Sequence, residues 1–137
     1  GADTQLRCFR ELIDKGDETS WGSRVQRFKY RLRLESYKKS AVKVQLYDRI
    51  PASKSEDIEV KLVSGGSGLS KDGVYARDRR PHGILRWDLT LAAGANDAKA
   101  RDIGYEFEMK YAKDKHLGRQ ATGMLQQMEK DYRKMAH

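Results

Sequence analysis

The sequence predicts an all-β fold, in which antiparallel strands pack as a β-sandwich and a C-terminal amphipathic helix follows. Two observations carry this prediction. Apolar and polar residues alternate with a period of two in several short segments joined by turns, whereas the C-terminal segment changes to a helical period. No helical segment separates the strands, which excludes a doubly wound α/β fold and favours two antiparallel sheets packed face to face, immunoglobulin-like or fibronectin-like in general shape.

The first half of the chain contains three predicted strands. Residues 6–13 form a first, less regular run. In residues 25–35, aromatic and leucine side chains alternate with basic ones, which is the pattern of a half-buried antiparallel strand. The short polar turn 36–40 leads into a third strand at 41–47, and a connection this short predicts a hairpin between the second and third strands.

The chain then turns a corner at Pro51. Proline fixes its own φ, donates no hydrogen bond and pushes Ile50 toward extended geometry, so the preceding strand must end there. A Gly-rich loop follows the next strand. The remaining strands are predicted at residues 58–63, 74–76, 84–91 and 103–111. Trp87 shares a face with Leu85 and Leu89 and is therefore predicted to lie in the core, and we expect Trp21 to be buried as well.

The C-terminal segment carries apolar residues at helical spacing. They are Ala121, Met124, Leu125, Met128, Tyr132 and Met135. We interpret this stripe as a packing face of the helix rather than a partner site. The predicted organisation is a β-sandwich domain over residues 1–117 and a helical extension over residues 118–137.

Length and composition favour one folded domain with a core of its own. The chain has 137 residues, of which 38% are hydrophobic and 35% are charged. The single cysteine, Cys8, excludes a disulfide scaffold and is expected to be an inert core residue. No run is long enough for a membrane span, and no signal peptide is visible. Because the chain begins at Gly1 without an initiator methionine, we expect a processed or excised segment.

The sequence contains no recognisable catalytic or metal-binding motif. The histidines His82, His116 and His137 have no metal-ligand spacing, and the Gly-rich loop 64–68 lacks the Gly-Lys-Ser/Thr ending of a phosphate-binding loop. Three aspartates near strand ends, Asp48, Asp57 and Asp88, fit turn and strand-edge roles better than a hydrolase site. We therefore predict a protein that is not an enzyme and needs no cofactor or metal.

The positive charge of the chain is concentrated in one segment. Residues 24–43 contain eight basic residues and one acidic residue, and so carry a net charge of +7 out of the chain's +8. Four of these side chains lie at alternate positions of the second strand, about 6.5–7 Å apart. This candidate anion-binding row consists of Arg27, Lys29, Arg31 and Arg33, and Lys43 is expected to extend it from a paired strand.

Two interpretations of this row are open. It could bind phosphate, sulfate, an acidic polysaccharide or an acidic protein. It could equally be a solvated outer face, or be neutralised by Glu106 and Glu108 if the last strand pairs alongside. Nucleic acid is disfavoured, because Phe28 and Tyr30 point to the opposite face and offer no exposed rings for base stacking.

Several segments in order resemble one known family. The motif D-x-x-P-x-S at residues 48–53, the I-x-V strand at 58–60 and the Gly-Ile-Leu-Arg-Trp-Asp-Leu strand at 83–89 are similar to the C-terminal domain of unknown function in mucoidy inhibitor A-like proteins. The resemblance covers about residues 24–116. Ala112 stands where that family has a proline, and the loop between Val63 and Gly83 does not map onto it.

The resemblance implies a β-sandwich at the end of a longer chain, often in exported bacterial proteins, and it implies no catalytic residues. The leading hypothesis is therefore a non-enzymatic structural or protein-interaction module of a larger, envelope-associated bacterial protein, located in the periplasm or cell envelope. Its partners would be another protein or other domains of the same chain. The alternative is a binding domain for an anionic ligand that uses the basic strand face.

Overall fold

A computed structural model describes residues 4–52 and 55–135, and these residues form six β-strands and two α-helices. In chain order the elements are β1 (Leu6–Ser20), β2 (Ser23–Ser36), β3 (Val42–Arg49), β4 (Ile58–Ser64), α1 (Gly73–Asp78), β5 (Ile84–Leu91), β6 (Arg101–Ala112) and α2 (Lys115–Met135). Ser53 of the D-x-x-P-x-S motif, His137 and the side chain of Met135 lie outside the described residues.

β1 and β2 form a long hairpin that closes at Trp21 and Gly22. Both residues have positive φ, 51° and 79°, which is the geometry of the tight turns that match the twist of paired strands. Trp21 stands at this turn and is fully exposed, so its predicted burial is wrong. Cys8, on the edge strand β1, is also exposed rather than placed in the core.

The six strands divide into two antiparallel sheets. The larger sheet has the order β1-β2-β6-β4, and the smaller sheet pairs β3 with β5. The predicted hairpin between the second and third strands is therefore wrong. β1 and β6 occupy both sides of β2, so the short connection after Ser36 carries the chain to the other sheet instead of back along β2.

The core lies between the two sheets and is rich in aromatic residues. Phe28 stacks on Phe107 with ring centroids 5.1 Å apart, and Trp87 of the small sheet contacts Tyr105 of the large sheet at 5.8 Å. The predicted burial of Trp87 is confirmed. The all-β antiparallel fold with a C-terminal helix is also confirmed, and the finer likeness to immunoglobulin or fibronectin domains stays a prediction.

Residues 74–76 belong to helix α1, so the extra strand predicted there is wrong. The carboxylate of Asp72 accepts a hydrogen bond from the Tyr75 backbone N–H at 3.0 Å and caps the helix. Tyr75 is buried, and its hydroxyl donates to the Ile84 carbonyl at 2.7 Å. Tyr75 therefore anchors the long connection between β4 and β5 together with Ser70, whose backbone N–H donates to the Arg86 carbonyl at 2.7 Å.

Helix α2 packs against the sandwich through its apolar stripe. It begins at Lys115, where Asp114 caps the first turn by accepting from the backbone N–H of Leu117 at 3.0 Å. Ala121 and Met128 are buried, which confirms that part of the stripe as a packing face. The division into units of residues 1–117 and 118–137 stays a prediction.

Replacing Gly123 by alanine should stabilise the protein. Gly123 lies inside α2, and a Cβ at this position would meet no atom within 4 Å. Alanine is favoured over glycine in a helix interior by about 0.5–1 kcal/mol. We expect Gly123→Ala to raise the free energy of unfolding by about that amount in urea denaturation.

Gly65→Ala is the matched control for this experiment. Gly65 has a φ of +88°, and a Cβ there would stand 2.7 Å from the Gly104 carbonyl oxygen. The same chemical change should therefore destabilise the protein at this position. Equal effects of the two substitutions would contradict the open space found at Gly123.

Candidate functional site

The residues of the predicted basic row fall on two different sheets. Arg27, Lys29, Arg31 and Arg33 project from the outer face of β2, as predicted. Lys43 lies on β3, opposite Thr90 of β5, and therefore belongs to the small sheet. The expectation that Lys43 extends the row is wrong, because it depended on a pairing of β2 with β3.

Two of these arginines form ion pairs with the strands beside them. Arg27 contacts Glu18 of β1 at 3.1 Å and Glu108 of β6 at 3.4 Å. Arg31 contacts Glu11 of β1 at 2.7 Å. Acidic residues on both neighbouring strands thus neutralise part of the row. Each pair is partly exposed, so it contributes little to stability.

The other two basic side chains also face carboxylates. Arg33 lies 3.9 Å from Asp102 of β6. In strand register, Lys29 stands between Asp14 on β1 and Glu106 on β6. The pairing of the last strand beside β2 therefore agrees with the second interpretation of the row, a face neutralised by its neighbours. Anion binding by this row stays a prediction.

The three aspartates considered in the sequence have separate partners. Asp48 faces the interior from β3, whereas Asp88 lies on the opposite face of the small sheet and accepts a hydrogen bond from the Ser70 hydroxyl. Asp57 accepts from Ser55 in the turn before β4. These carboxylates do not form a pair that could act as a general acid and base.

A buried ionic cluster lies where β1, β3, β6 and α2 meet. The side chain of Arg10 is 7% exposed and that of Asp48 is fully buried, with 3.2 Å between the Arg10 Nε and the Asp48 Oδ2. The Tyr105 hydroxyl donates to the same carboxylate oxygen. Arg10 Nη1 also donates to both oxygens of Glu129 on α2, at 2.8 and 3.0 Å.

Aromatic rings enclose the Arg10 guanidinium. Its central carbon lies 4.0 Å from the ring centroid of Tyr30 and 4.5 Å from that of Tyr132. Such cation–π contacts gain strength when the cation is removed from water. The Nη2 atom has no hydrogen-bond acceptor among the described residues, and the two rings supply the remaining favourable contacts of the cation.

The cluster shifts the pKa values of its members. Burial raises the pKa of Asp48 above its ordinary value, and Arg10 and Tyr105 oppose only part of that rise. Burial alone would lower the pKa of Arg10, but Asp48, Tyr105 and Glu129 raise it overall, so Arg10 stays cationic. Burial and the Asp48 carboxylate both raise the pKa of Tyr105. Tyr105 therefore remains a hydrogen-bond donor.

The cluster was not predicted from the sequence, although a signal was present. Asp48 occupies the same alternating phase as Val42, Val44 and Leu46 of β3, and that phase faces the core. A carboxylate on an apolar face requires a buried cationic partner. Arg10 could not be identified as that partner, because β1 and β3 are not paired with each other.

Apolar side chains are also exposed in the middle of β1. Phe9, Leu12 and Ile13 are 49%, 46% and 42% exposed, respectively. Phe9 lies opposite Arg33 on the outer face, Leu12 lies opposite Tyr30 on the inner face, and Ile13 stands at a bulge. The edge of the large sheet thus presents apolar groups on both of its faces.

Two kinds of feature are absent from residues 4–52 and 55–135. No three or more His, Cys, Asp or Glu side chains are grouped so that they could hold a metal ion. No helix in this part of the chain is both long enough and apolar enough to cross a membrane.

Comparison with known proteins identifies the family. A model of the domain of unknown function DUF4139 matches residues 1–113, which is most of the chain. The chain belongs to the DUF4139 family. None of the curated proteins and none of the solved structures gives a significant match. The finer resemblance of this DUF4139 domain to mucoidy inhibitor A-like proteins stays a prediction.

The matched residues contain all six described strands of the DUF4139 domain, and α2 begins just after them. Arg10, Asp48 and Tyr105 of the buried cluster lie within the match, whereas Glu129 and Tyr132 belong to α2. The cluster therefore joins the DUF4139 strands to the helix that follows them.

Removing Arg10 should strongly destabilise the DUF4139 domain. Arg10→Met leaves the carboxylate of Asp48 buried without its cation, which typically costs about 3–5 kcal/mol. Urea denaturation should show this loss. The double variant Arg10→Met/Asp48→Leu removes both charges and should be more stable than Arg10→Met alone. A single variant that loses less than the double variant would contradict the buried pairing.

Neutralising the β2 row should affect anion binding no more than neutralising other lysines. We expect the triple variant Lys29→Gln, Arg31→Gln, Arg33→Gln to elute from a heparin column at about the same salt concentration as a control in which Lys71, Lys130 and Lys134 are replaced by Gln. The reason is that carboxylates of β1 and β6 already face the row. A clearly earlier elution of the β2 variant would instead support the anion-binding alternative.

Proposed function

We propose that this DUF4139 domain is a non-enzymatic module that binds a partner protein within a larger, envelope-associated bacterial protein. The observation that supports it best is the apolar edge formed by Phe9, Leu12 and Ile13. Large hydrophobic side chains grouped on an exposed surface are typical of interaction sites. Envelope association rests on the resemblance to mucoidy inhibitor A-like proteins.

The geometry of β1 favours an extended segment as the partner. β1 lies at the edge of the large sheet, and its unpaired side offers backbone groups to another strand. A strand added there would cover side chains on both faces of the sheet, which matches the exposure of Phe9 and Leu12. The bulge between Leu12 and Asp14 interrupts regular pairing, so we place the partner strand along residues 6–12.

The absence of enzymatic activity is supported by what the buried polar groups do. Asp48, Tyr105 and Arg10 bind one another and join separate elements of the fold. These contacts give each of the three groups a structural role within the fold. The alternative, an anion-binding domain, has less support, because the ion pairs of Arg27 and Arg31 compete with any added ligand.

Photo-crosslinking tests the proposed interface. p-Benzoylphenylalanine in place of Phe9 should crosslink, in cells that contain the protein, to one discrete partner through an extended apolar segment that mass spectrometry can map. The same probe in place of Val74, which is 58% exposed on α1, is the matched control and should give no such product.

A second substitution makes the test specific to the edge. Leu12→Lys places a charge on the same edge strand as the probe but on the other face of the sheet, at a position that is already half exposed, so circular dichroism and thermal unfolding should change little. The Phe9 crosslink should nevertheless disappear, because the lysine cannot be buried under a partner strand. Equal products from Phe9 and Val74, no product at Phe9, or a product that survives Leu12→Lys would overturn the proposal.

A further inference from the structure

The free edge of β1 contains a regular segment that ends at the bulge. β1 begins at Leu6, and its register with β2 is regular up to Leu12. On the side away from β2, no strand of the described residues pairs with β1. The segment is therefore a straight stretch of unpaired edge with Phe9 at its midpoint.

The backbone hydrogen bonds show which residues of this segment face the free edge. The Tyr37 backbone N–H donates to the Gln5 carbonyl at 2.8 Å, so the backbone carbonyl of Gln5 points toward β2. In an antiparallel ladder this direction alternates from one residue to the next. The residues that direct their backbone N–H and C=O groups away from β2 are therefore Leu6, Cys8, Arg10 and Leu12.

The segment is complementary to itself when two copies run antiparallel. With Phe9 of one copy opposite Phe9 of the other, Arg7 stands opposite Glu11 and Leu6 stands opposite Leu12. An aromatic pair, pairs of opposite charge and pairs of aliphatic side chains then lie across the contact. Each of these kinds of pair stabilises neighbouring antiparallel strands.

The same register satisfies the backbone. The pairs that exchange hydrogen bonds would be Cys8 with Arg10 and Leu6 with Leu12. All four residues direct their backbone groups toward the second strand, as the hydrogen-bonded pairs of an antiparallel ladder require.

Neighbouring registers lack this complementarity. A centre at Arg10 places Phe9 opposite Glu11, and a centre at Cys8 places Phe9 opposite Arg7. Either shift removes the aromatic pair and the pairs of opposite charge. The register centred on Phe9 is the one among these in which charge and apolar contacts agree.

The charged side chains needed for this contact are accessible. Arg7 lies against the ring of Tyr37 and forms no ion pair within the described residues. The side chain of Glu11 is 60% exposed and contacts Arg31 through Oε2. Its other carboxylate oxygen can therefore accept from an arginine on a second strand.

Helix α2 leaves the edge open. It contacts β1 through the ion pair of Glu129 with Arg10. Cys8 and Leu12, on either side of Arg10 on the inner face, are nevertheless exposed, and Phe9 is exposed on the outer face. Both faces of the edge are therefore accessible to a second strand on either side of Arg10.

We propose that β1 of a second copy of this chain occupies the β1 edge, paired antiparallel about a two-fold axis at Phe9. A contact of this kind uses the same surface of both copies and closes, so it makes a dimer rather than a fibre. This inference rests on the proposed function, because it names the strand that binds the edge. Dimerisation would also cover an apolar edge that is otherwise prone to aggregation.

Charge exchange at Arg7 and Glu11 tests the register. The unchanged 137-residue chain should sediment as a dimer in analytical ultracentrifugation. Arg7→Glu and Glu11→Arg should each weaken dimerisation about tenfold, because each substitution places like charges opposite each other at both symmetry-related positions. The double variant Arg7→Glu/Glu11→Arg restores opposite charges and should dimerise like the unchanged chain. Lys15→Glu, on the same strand beyond the bulge, is the matched control and should have no effect.

Disulfide crosslinking locates the centre of the contact. In a Cys8→Ser background, Phe9→Cys should give a linked dimer on mild oxidation, because residues at the two-fold axis face each other directly. Arg7→Cys alone should not crosslink, since residue 7 of each copy would lie about 13 Å along the strand from its counterpart. A mixture of Arg7→Cys and Glu11→Cys chains should crosslink.

Three outcomes would contradict the dimer. They are a monomer at millimolar concentration, no recovery of dimerisation in the double variant, and crosslinking of Arg7→Cys alone that is as fast as that of Phe9→Cys. A monomeric chain whose Phe9 probe crosslinks to a different protein in cells would refute the dimer and leave the proposed function standing. A monomeric chain with no such crosslink would overturn both.

Discussion

The buried ion pair of Arg10 and Asp48 joins elements that the hydrogen-bond ladders leave separate. β1 belongs to the large sheet and β3 to the small sheet, so no backbone pairing connects them. Arg10 bridges this gap to Asp48 and continues to Glu129 on α2. Because a buried charge is costly without its partner, the two sheets and the helix must come together in one arrangement for either charge to be tolerated.

The same pair explains how an edge strand can be both long and polar. β1 carries many charged residues and buries few side chains, so hydrophobic packing alone holds it weakly. Arg10 is its best-anchored side chain, enclosed by the rings of Tyr30 and Tyr132 and bound to acids on two other elements. The rest of β1 can therefore carry charged and apolar side chains that are exposed to solvent.

Alternation in the sequence was sufficient to predict the strands but not their partners. The period of two located β2, β3, β5 and β6, because each has one face in the core. It could not show that β2 pairs with β6, since that contact joins residues that are distant in the chain. A short turn usually joins the two strands of a hairpin, but the turn after Ser36 connects strands of different sheets. The predicted position of Lys43 beside β2 was wrong for the same reason.

The candidate sites were predictable to different degrees for a related reason. The basic row from Arg27 to Arg33 lies on a single strand, so it could be predicted from the sequence. Its carboxylate partners could not, because they depend on which strands pair with β2. Glu106 and Glu108 could be predicted as partners only on the condition that the last strand pairs with β2. Arg10 and Asp48 come from strands in different sheets, so neither could be assigned to the other before the fold was known.

The two tryptophans of this chain lie in opposite environments, so their fluorescence can be distinguished. Trp87 is enclosed by the core next to Tyr105, while Trp21 projects into water from the tip of the first hairpin. A dissolved quencher reaches the indole of Trp21 and not that of Trp87 while the sandwich is intact. The red shift of emission on unfolding therefore comes from Trp87 alone, so global unfolding and local events at the hairpin tip can be followed separately in unlabelled protein.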